Sequence, residues 1–533
     1  MKRLIAVLVT VVLSLSVAGF DHATASPRAA AAAASYTPSL SWSACGPGSS
    51  DQCASFAVPL DYANPDGDRI TLAVRMRPHT SASSKGFLLA NPGGPGGSGT
   101  GLVGLAGAIP NGVGHAYDLI GFDPRGVGAS TPSLHCNSRF FGVDRPSFVP
   151  RTHRLMRFWK TKTTRYAAAC GRSAAARLLP HLSTMDTVMD MDSLRQALVG
   201  SGKISFYGFS YGTYLGQVYA TTYPTHVDKF VLDGVVNPTD YWYGANLKQE
   251  VGFDRNLNIF FRWVARHPGT YHLGRQWRAI RHGYNALLKR LDRHPAAHGK
   301  LGHDELTDAM INAGYYVYDW DSIATAYSDL VRHGRGGAVF SIYRDSSMGD
   351  DNGYAVYLGV QCTDARRPAW TTQVRDAWRI NRTRPFLAWD NTWYNAPCRT
   401  WPAPSHARLA VDGTAAAAAG AKFLLVNETR DAATPYSGAL TVRSLFPTSA
   451  LIAGVGGTTH AGSLSGVSCV DSRIAAFLND GTLPARLGGT RSDVNCPKVP
   501  PPPPSRYART TGGAGMSPSL RAQLIAGQQT FAG

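Results

Sequence analysis

The stretch Ser205–Gly216 reads SFYGFSYGTYLG and places a serine, Ser210, between two glycines at the spacing G-x-S-x-G. With 56 glycines among 533 residues, this spacing alone is weak evidence. Its context is more specific, because Ile204–Tyr207 is predicted to be a strand and Thr213–Tyr223 a helix closed by Pro224. A strand, a glycine-flanked turn and a helix together indicate a nucleophile elbow, a strained turn that presents the serine hydroxyl above the sheet edge.

A nucleophilic serine needs a base and an acid that orients the base, and behind such an elbow they follow in the order serine, acid, histidine. The predicted strand Lys422–Glu428 leads to Asp431, and the predicted strand Ala450–Gly456 leads to His460. Loops after strands are where a parallel sheet gathers its active site. Asp233 also ends a predicted strand and is the competing acid, but TRDAATP around Asp431 is a free loop. We therefore predict Asp431 and His460 as the partners of the serine.

The rest of the chain divides by composition. From 41 to 239, short β-branched or aromatic segments alternate with amphipathic ones, which predicts the first part of a wound α/β core. Residues 240–405 are rich in Trp, Tyr and Arg with a helical period, and we interpret them as an inserted cap. Strand-like sequence resumes over 406–498, the second part of the core. The tail, 499–533, opens with a proline run and is predicted to be disordered.

The N-terminus indicates export. Residues 1–25 have a basic start, an apolar run and the small residues ATA, which is the layout of a secretory signal peptide. The apolar run is shorter than the roughly 20 residues of a membrane-spanning helix. Residues 26–40 contain an alanine run and are interpreted as a linker or pro-segment. We expect a secreted, extracellular protein without a membrane span.

The cysteines agree with export. They are even in number and form no C-x-x-C pair, which favours disulfides in an oxidising compartment over zinc or redox sites. Pairing of sequence neighbours is the simplest of about 105 connectivities. The eight are Cys45, Cys53, Cys136, Cys170, Cys362, Cys398, Cys469 and Cys496.

A second glycine-rich loop, NPGGPGGSG (Asn91–Gly99), follows another predicted strand. Three of its glycines fit the G-x-G-x-x-G pattern of dinucleotide sites. Two prolines interrupt the N–H groups that a pyrophosphate needs, and an exported protein has little access to nicotinamide cofactor. We interpret the loop as an oxyanion donor, with the N–H groups of Gly93 and Gly94 joining that of Tyr211. No cofactor and no metal are predicted.

The formal net charge of +18 favours contact with anionic polymers, either nucleic acid or acidic cell-wall material. The basic residues are spread out, and the densest series, between Arg255 and Lys300, has apolar residues at helical spacing. A solvated helix face explains this series, so nucleic-acid binding is not expected. Association with an anionic cell wall and a monomeric state are further expectations.

Five motifs occur in an order that resembles the secreted actinobacterial tripeptidyl aminopeptidases, serine peptidases related to prolyl aminopeptidases: NPGGPGGSG, YDLIGFDPRGVGAS, YGFSYGTYLG, RDAATPY and GTTHAGSLSGVSC. The resemblance covers roughly 41–496. It implies an α/β-hydrolase fold, a mostly parallel sheet flanked by helices, with an inserted and mainly helical cap. It also implies Ser210, Asp431 and His460 as the triad, and release of tripeptides from peptides with free N-termini.

One position departs from the family pattern. Related enzymes often carry an acidic residue before the cysteine of the C-T-D segment, where it meets the substrate's N-terminal ammonium, and here that residue is Gln361. Asp364, Glu250 and Asp254 are alternative sources of charge, each equally plausible as an ordinary carboxylate. Two other functions therefore stay open: a secreted carboxylesterase with the same triad, and a non-catalytic, basic, wall-associated binding protein.

Overall fold

The computed structural model describes residues 36–143, 145–240, 242–348, 351–504 and 515–528. The predicted signal peptide and most of the predicted linker lie outside these residues, so both stay predictions.

The described strands form one ten-stranded sheet. They are β1 (Ser43–Ala44), β2 (Gln52–Pro59), β3 (Arg69–Arg77), β4 (Phe87–Asn91), β5 (Asp118–Phe122), β6 (Ile204–Phe209), β7 (Val227–Asp233), β8 (Lys422–Glu428), β9 (Ser449–Val455) and β10 (Val494–Pro497). Their order across the sheet is β1-β2-β3-β5-β4-β6-β7-β8-β9-β10. The pairs from β1 to β5 along this order are antiparallel, and all pairs from β5 to β10 are parallel.

Burial along the strands follows from their neighbours. All six residues of β6 are buried, as expected for a central parallel strand covered on both faces. In β3, an antiparallel strand near the edge, buried Ile70, Leu72 and Val74 alternate with more exposed residues. Because β6, β7, β8 and β9 are parallel, the carboxyl ends of β6, β8 and β9 lie at the same edge of the sheet, where the loops that follow them gather.

Helices cover the sheet and fill the insertion between β7 and β8. Those before β7 are α1 (Leu105–Ala108), α2 (His153–Cys170), α3 (Thr184–Val199) and α4 (Tyr211–Thr222). Those of the insertion are α5 (Tyr243–Ala265), α6 (Pro268–Tyr271), α7 (Trp277–Leu291), α8 (Ala296–Gly299), α9 (His303–Tyr315), α10 (Trp320–His333), α11 (Gly337–Ser347), α12 (Asn352–Asp364), α13 (Trp370–Asn381), α14 (Ala388–Asn395) and α15 (Thr414–Ala418). Those after β8 are α16 (Ser437–Leu445), α17 (Ser468–Asp480) and α18 (Pro518–Gln528). Short 3₁₀ segments are Thr100–Gly104, Pro110–Ala116, Ala176–His181, Pro224–His226, Val317–Asp319 and Ala396–Thr400.

The helical insertion shares a hydrophobic core with the sheet. One hydrophobic cluster contains Phe206 and Phe230 of the sheet together with Phe253 and Phe260 of α5. Shared burial of large aromatic side chains holds the cap in place over the carboxyl edge. The predicted fold class, an α/β-hydrolase core with an inserted and mainly helical cap, is confirmed.

Four disulfides join sequence neighbours, as in the simplest predicted pairing: Cys45–Cys53, Cys136–Cys170, Cys362–Cys398 and Cys469–Cys496. Disulfides of this kind persist in oxidising compartments. Among the described helices, none has both the length and the apolar composition needed to cross a bilayer.

The prediction of a disordered tail is wrong for part of the segment. Residues Pro518–Gln528 form α18, and its Leu520 and Leu524 are buried in the same cluster as Val103 and Ala106. Leucines four residues apart lie on one face of a helix, so this short segment buries an apolar stripe that its Gly, Ser and Ala content obscures.

Candidate active site

Ser210 occupies the turn between β6 and α4. Its backbone has φ 54° and ψ −124°, a conformation that is costly for a residue with a side chain. The flanking glycines make the turn sterically feasible: a Cβ on Gly208 would lie 2.5 Å from the carbonyl oxygen of Gly212. The predicted strand, turn and helix are all present here. The arrangement is that of a nucleophile elbow.

Asp431 and His460 lie in the loops after β8 and β9 and contact each other. Asp431 Oδ2 is 2.8 Å from His460 Nδ1, and both side chains are buried. Asp431 is itself fixed, because its Oδ1 accepts the N–H groups of Ala433 at 2.9 Å and Thr434 at 3.0 Å, and the Thr434 hydroxyl donates to Oδ2 at 2.8 Å. A carboxylate held in this way fixes the orientation of the imidazole and stabilises its protonated form.

The competing acid, Asp233, has a different set of partners. Its Oδ2 accepts the N–H of Ser463 at 2.8 Å, and its backbone carbonyl accepts the N–H of Ser210 at 2.9 Å. No hydrogen bond joins it to the His460 ring among the described residues. Burial raises the pKa of Asp233 to about 6, and the Ser463 N–H and the nearby His460 lower it in part. Asp233 thus supports the loops on either side of the site, and of the two carboxylates it is Asp431 that bonds to the imidazole.

The cap also positions His460. Tyr315, the last residue of α9, accepts the backbone N–H of His460 at 2.8 Å, and its ring stands edge-on to the imidazole with centroids 5.8 Å apart. His460 Nε2 is buried and has no hydrogen-bond partner among the described residues. The bond from the Ser210 hydroxyl to this nitrogen is therefore not formed here. In enzymes without substrate such bonds are often long, and they tighten in the complex.

Glu428, at the end of β8, holds the loop that carries His460, and sequence reasoning missed it. Its two carboxylate oxygens accept the N–H groups of Thr459 at 2.6 Å and Val499 at 2.7 Å. Burial raises the pKa of Glu428 to about 8, against the lowering effect of the two N–H groups. The sequence did carry a signal for this role: Glu428 is an acidic residue at the end of a predicted buried strand, three positions before Asp431.

Replacing Glu428 by glutamine is expected to lower kcat on the order of 10²-fold, because an amide NH₂ cannot accept the second N–H and the histidine loop shifts. Steady-state kinetics with a chromogenic peptide measures the effect. Asp471→Asn is the matched control, since Asp471 accepts two N–H groups of the same loop, from Leu464 and Gly466, farther from the histidine. An equal loss in both variants contradicts the positioning role of Glu428.

The oxyanion prediction needs one correction. The N–H of Gly93 donates to Asn91 Oδ1 at 2.9 Å in a buried environment, so it is engaged within the loop. What Gly93 provides is space: a Cβ there would lie 2.8 Å from Ser210 Cβ and 2.9 Å from Tyr211 N. Gly94 lines the same pocket as Ser210 and Tyr211. Tyr211 is the first residue of α4, where N–H groups point out of the helix end. Gly94 and Tyr211 remain the candidate donors.

The pocket next to Ser210 is narrow, with a volume of about 40 Å³. The core contributes Gly94, Ser210 and Tyr211, and the cap contributes Asn246, Tyr315 and Tyr357 among others. Cap helices α5, α9 and α12 therefore form part of the wall of this pocket. Among the described residues, no group of three or more His, Cys, Asp or Glu side chains is placed to hold a metal ion.

Of the residues predicted to bind substrate, only Gln361 lines this pocket. Its Oε1 accepts a hydrogen bond from Arg367 at 2.8 Å. Asp364 instead accepts bonds from the Thr184 backbone and hydroxyl, both at 2.6 Å, and from the Trp242 indole at 3.1 Å. These groups satisfy both of its oxygens. Burial raises the pKa of Asp364 to about 7.

The other two predicted carboxylates also lie behind the wall. Glu250 is buried, its Oε1 is 3.4 Å from the Asn391 amide, and burial raises its pKa well above the usual range. Asp254 is paired with Arg281 at 2.8 Å. Neither lines the pocket.

The carboxylate that does line the pocket is Asp240, which sequence reasoning did not single out. Its Oδ2 is 2.6 Å from the Lys248 ammonium and 2.7 Å from the Asn237 amide. Lys248 is half exposed, so this ion pair is open to water and to competing cations. The pocket thus has one carboxylate that already binds an ammonium group.

Comparison with known proteins decides the family. A tripeptidyl aminopeptidase from Streptomyces lividans is 36% identical over 468 residues, which cover 85% of this chain and 85% of that protein. The chain belongs to the tripeptidyl aminopeptidase family. A family model described as TAP-like protein also matches residues 384–496.

Two other relatives of this chain have a lower sequence identity to it. Serine protease Hip1 from Mycobacterium tuberculosis is 30% identical over 459 residues, covering 81% of this chain and 86% of that protein. Carboxylesterase B, from the same species, is 32% identical over 474 residues, which cover 84% of this chain and 89% of that protein. The protein is a serine hydrolase, a tripeptidyl aminopeptidase-like peptidase of the α/β-hydrolase fold.

Proposed function

We propose that this protein is a secreted serine exopeptidase that releases tripeptides from free N-termini, with Ser210, His460 and Asp431 as its triad. The observation that carries the proposal is the pocket beside Ser210, which residues of the cap line together with residues of the core. A cap over the nucleophile favours a chain end over the middle of a long polypeptide as the substrate. The similarity to the Streptomyces tripeptidyl aminopeptidase supports the length of the released peptide.

The chemistry is acyl transfer. His460 Nε2 takes the proton of the Ser210 hydroxyl as Oγ attacks the scissile carbonyl carbon, and Asp431 stabilises the imidazolium through Nδ1. The oxyanion accepts hydrogen bonds from the N–H groups of Gly94 and Tyr211. His460 then returns the proton to the leaving amine, and water releases the tripeptide from the acyl-enzyme by the same route.

Asp240 is the group that we assign to the substrate's N-terminal ammonium. Gln361 carries no charge, and the Arg367 guanidinium next to it disfavours a cation at that end of the pocket. Asp240 lines the pocket and already pairs with an amine, so the substrate ammonium replaces Lys248 as its partner. A charge-assisted hydrogen bond of this kind is stronger than a neutral one.

Asp240→Asn is expected to lower kcat/KM for a peptide with a free N-terminus by about 10- to 100-fold, because a hydrogen bond to a charged group contributes about 1.5–3 kcal/mol. The N-acetylated peptide is the reference substrate, so the ratio of the two kcat/KM values is the readout. Glu250→Gln, which removes a carboxylate behind the pocket wall, is the matched control and is expected to leave the ratio as it is. A ratio that falls in Glu250→Gln and not in Asp240→Asn contradicts the assignment.

The proposed function itself is tested with a hexapeptide, supplied with a free or an acetylated N-terminus. Mass spectrometry is expected to find two tripeptides from the free form and little product from the acetylated form. Equal cleavage of both forms, or products of other lengths, contradicts tripeptidyl aminopeptidase activity.

A carboxylesterase is the second candidate function. The similarity to the mycobacterial Carboxylesterase B favours it, and an elbow, a base and an acid of this kind hydrolyse esters by the same steps. Its signature is efficient turnover of a short-chain ester together with no release of tripeptides from the hexapeptide.

Secretion rests on the signal-like N-terminus and on the four disulfides. N-terminal sequencing of the protein recovered from culture medium tests it. A start near residue 26 or later is the expected result, and retention of Met1 inside the cells contradicts it.

A further inference from the structure

The C-terminal helix reaches the candidate active site. The side chain of Gln528, the last residue of α18, lines the same pocket as Ser210, Tyr211 and Gly94. Gln528 is 2% exposed, so its amide lies inside the protein. No step of the proposed mechanism uses this residue, although it belongs to the pocket wall.

The Gln528 amide has one partner and one unused donor. The Tyr316 hydroxyl donates to its Oε1 at 2.7 Å, which fixes the orientation of the amide. Its Nε2 is buried and has no hydrogen-bond partner among the described residues. A buried amide N–H without a partner is costly, and such groups are rare in folded proteins unless a ligand or water satisfies them.

The helix that carries Gln528 is docked firmly against the oxyanion loop. A Cβ on Gly527 would lie 2.8 Å from Pro92 Cβ, so only glycine allows this approach. Leu520 and Leu524 anchor the helix in the core, and Arg521 lies over the Tyr318 ring at 4.2 Å. These contacts give the Gln528 side chain a defined place next to the nucleophile.

From this geometry we propose that Gln528 is a substrate-binding residue of the peptidase, whose Nε2–H donates a hydrogen bond to a main-chain carbonyl oxygen of the bound peptide. The inference rests on the proposed function. A peptide has carbonyl groups beyond the scissile one, and a simple ester such as p-nitrophenyl acetate has none. Gln528 therefore selects peptides over small esters, and the C-terminal helix is part of the specificity pocket.

The test compares kcat/KM for the hexapeptide with kcat/KM for p-nitrophenyl acetate in the full-length protein. Gln528→Met keeps the length of the side chain and removes the amide. It is expected to lower the peptide-to-ester ratio about fivefold, the effect of losing one neutral hydrogen bond. Tyr316→Phe, which frees the amide to rotate, is expected to lower the ratio in the same direction by a smaller factor.

Gln523→Met is the matched control. Gln523 lies on the same helix but packs against Gly101, outside the pocket of Ser210. It is expected to leave the ratio unchanged. A Gln528→Met variant in which both activities fall together has lost structure and not selectivity, and this result overturns the inference, as does an unchanged ratio. A parent protein that turns over the ester and not the hexapeptide overturns the proposed function, and this inference with it.

Discussion

Replacing Ser210 by alanine is expected to lower kcat for a chromogenic tripeptide anilide by roughly 10⁶-fold. The variant loses the only group that forms the acyl-enzyme, and the neighbouring His460 and Asp431 have no nucleophile to activate. Loss of one member of such a triad removes nearly all of its contribution, because the members act as a unit. Substrate binding is expected to persist, since the pocket wall is otherwise intact, and isothermal titration with the tripeptide product measures it.

Ser205→Ala is the matched control for this variant. Ser205 lies on the same strand, and its hydroxyl donates to Asp228 at 2.9 Å, away from the pocket. Its activity is expected to stay within about threefold of the parent, because loss of one such hydrogen bond affects mainly stability. A Ser210→Ala variant that retains more than one per cent of the parent activity contradicts the mechanism.

Asp431→Asn is expected to lower kcat about 10⁴-fold, because an amide at this position donates where the carboxylate accepts and favours the wrong imidazole tautomer. The loss is expected in kcat more than in KM, since Asp431 is covered by Thr434 and His460 and does not reach the pocket. Steady-state kinetics with the same anilide measures both constants.

Asp233→Asn provides the comparison for Asp431. Both carboxylates end or follow a parallel strand, and both are buried, but only Asp431 bonds to the imidazole. We expect Asp233→Asn to lower kcat by no more than about tenfold, through the Ser463 loop that it holds. A larger loss in Asp233→Asn than in Asp431→Asn contradicts the proposed acid.

The sequence was sufficient for the parts of the fold that depend on local patterns. Continuous apolar segments marked the buried parallel strands, and the glycines around Ser210 marked a turn that few other residues allow. Asp233 and Asp431 both lie between Ser210 and His460 along the chain, and the free loop TRDAATP favoured Asp431. The two side chains that meet in the structure are Asp431 and His460.

What the sequence did not reveal depends on contacts between distant segments. The engagement of the Gly93 N–H by Asn91 needs the actual loop geometry, which a glycine count cannot supply. Asp240, Glu428 and Gln528 reach the site from a loop, a strand end and a tail, and no spacing rule links them. Asp364, Glu250 and Asp254 were candidates from the sequence, but each is bonded to neighbouring side chains and none lines the pocket. Only the burial and the hydrogen bonds in the structure separate these carboxylates from Asp240.

A fluorophosphonate probe reacts with a serine whose hydroxyl is activated as a nucleophile, so it reports on the proposed role of Ser210. The parent protein is incubated with the probe, digested and analysed by mass spectrometry, with hexapeptide hydrolysis followed in parallel. We predict a single adduct on the peptide that contains Ser210 and a loss of hydrolysis in proportion to labelling. An unmodified Ser210 in a protein that still hydrolyses the hexapeptide, or an adduct at another residue that accounts for the lost activity, would rule out Ser210 as the nucleophile.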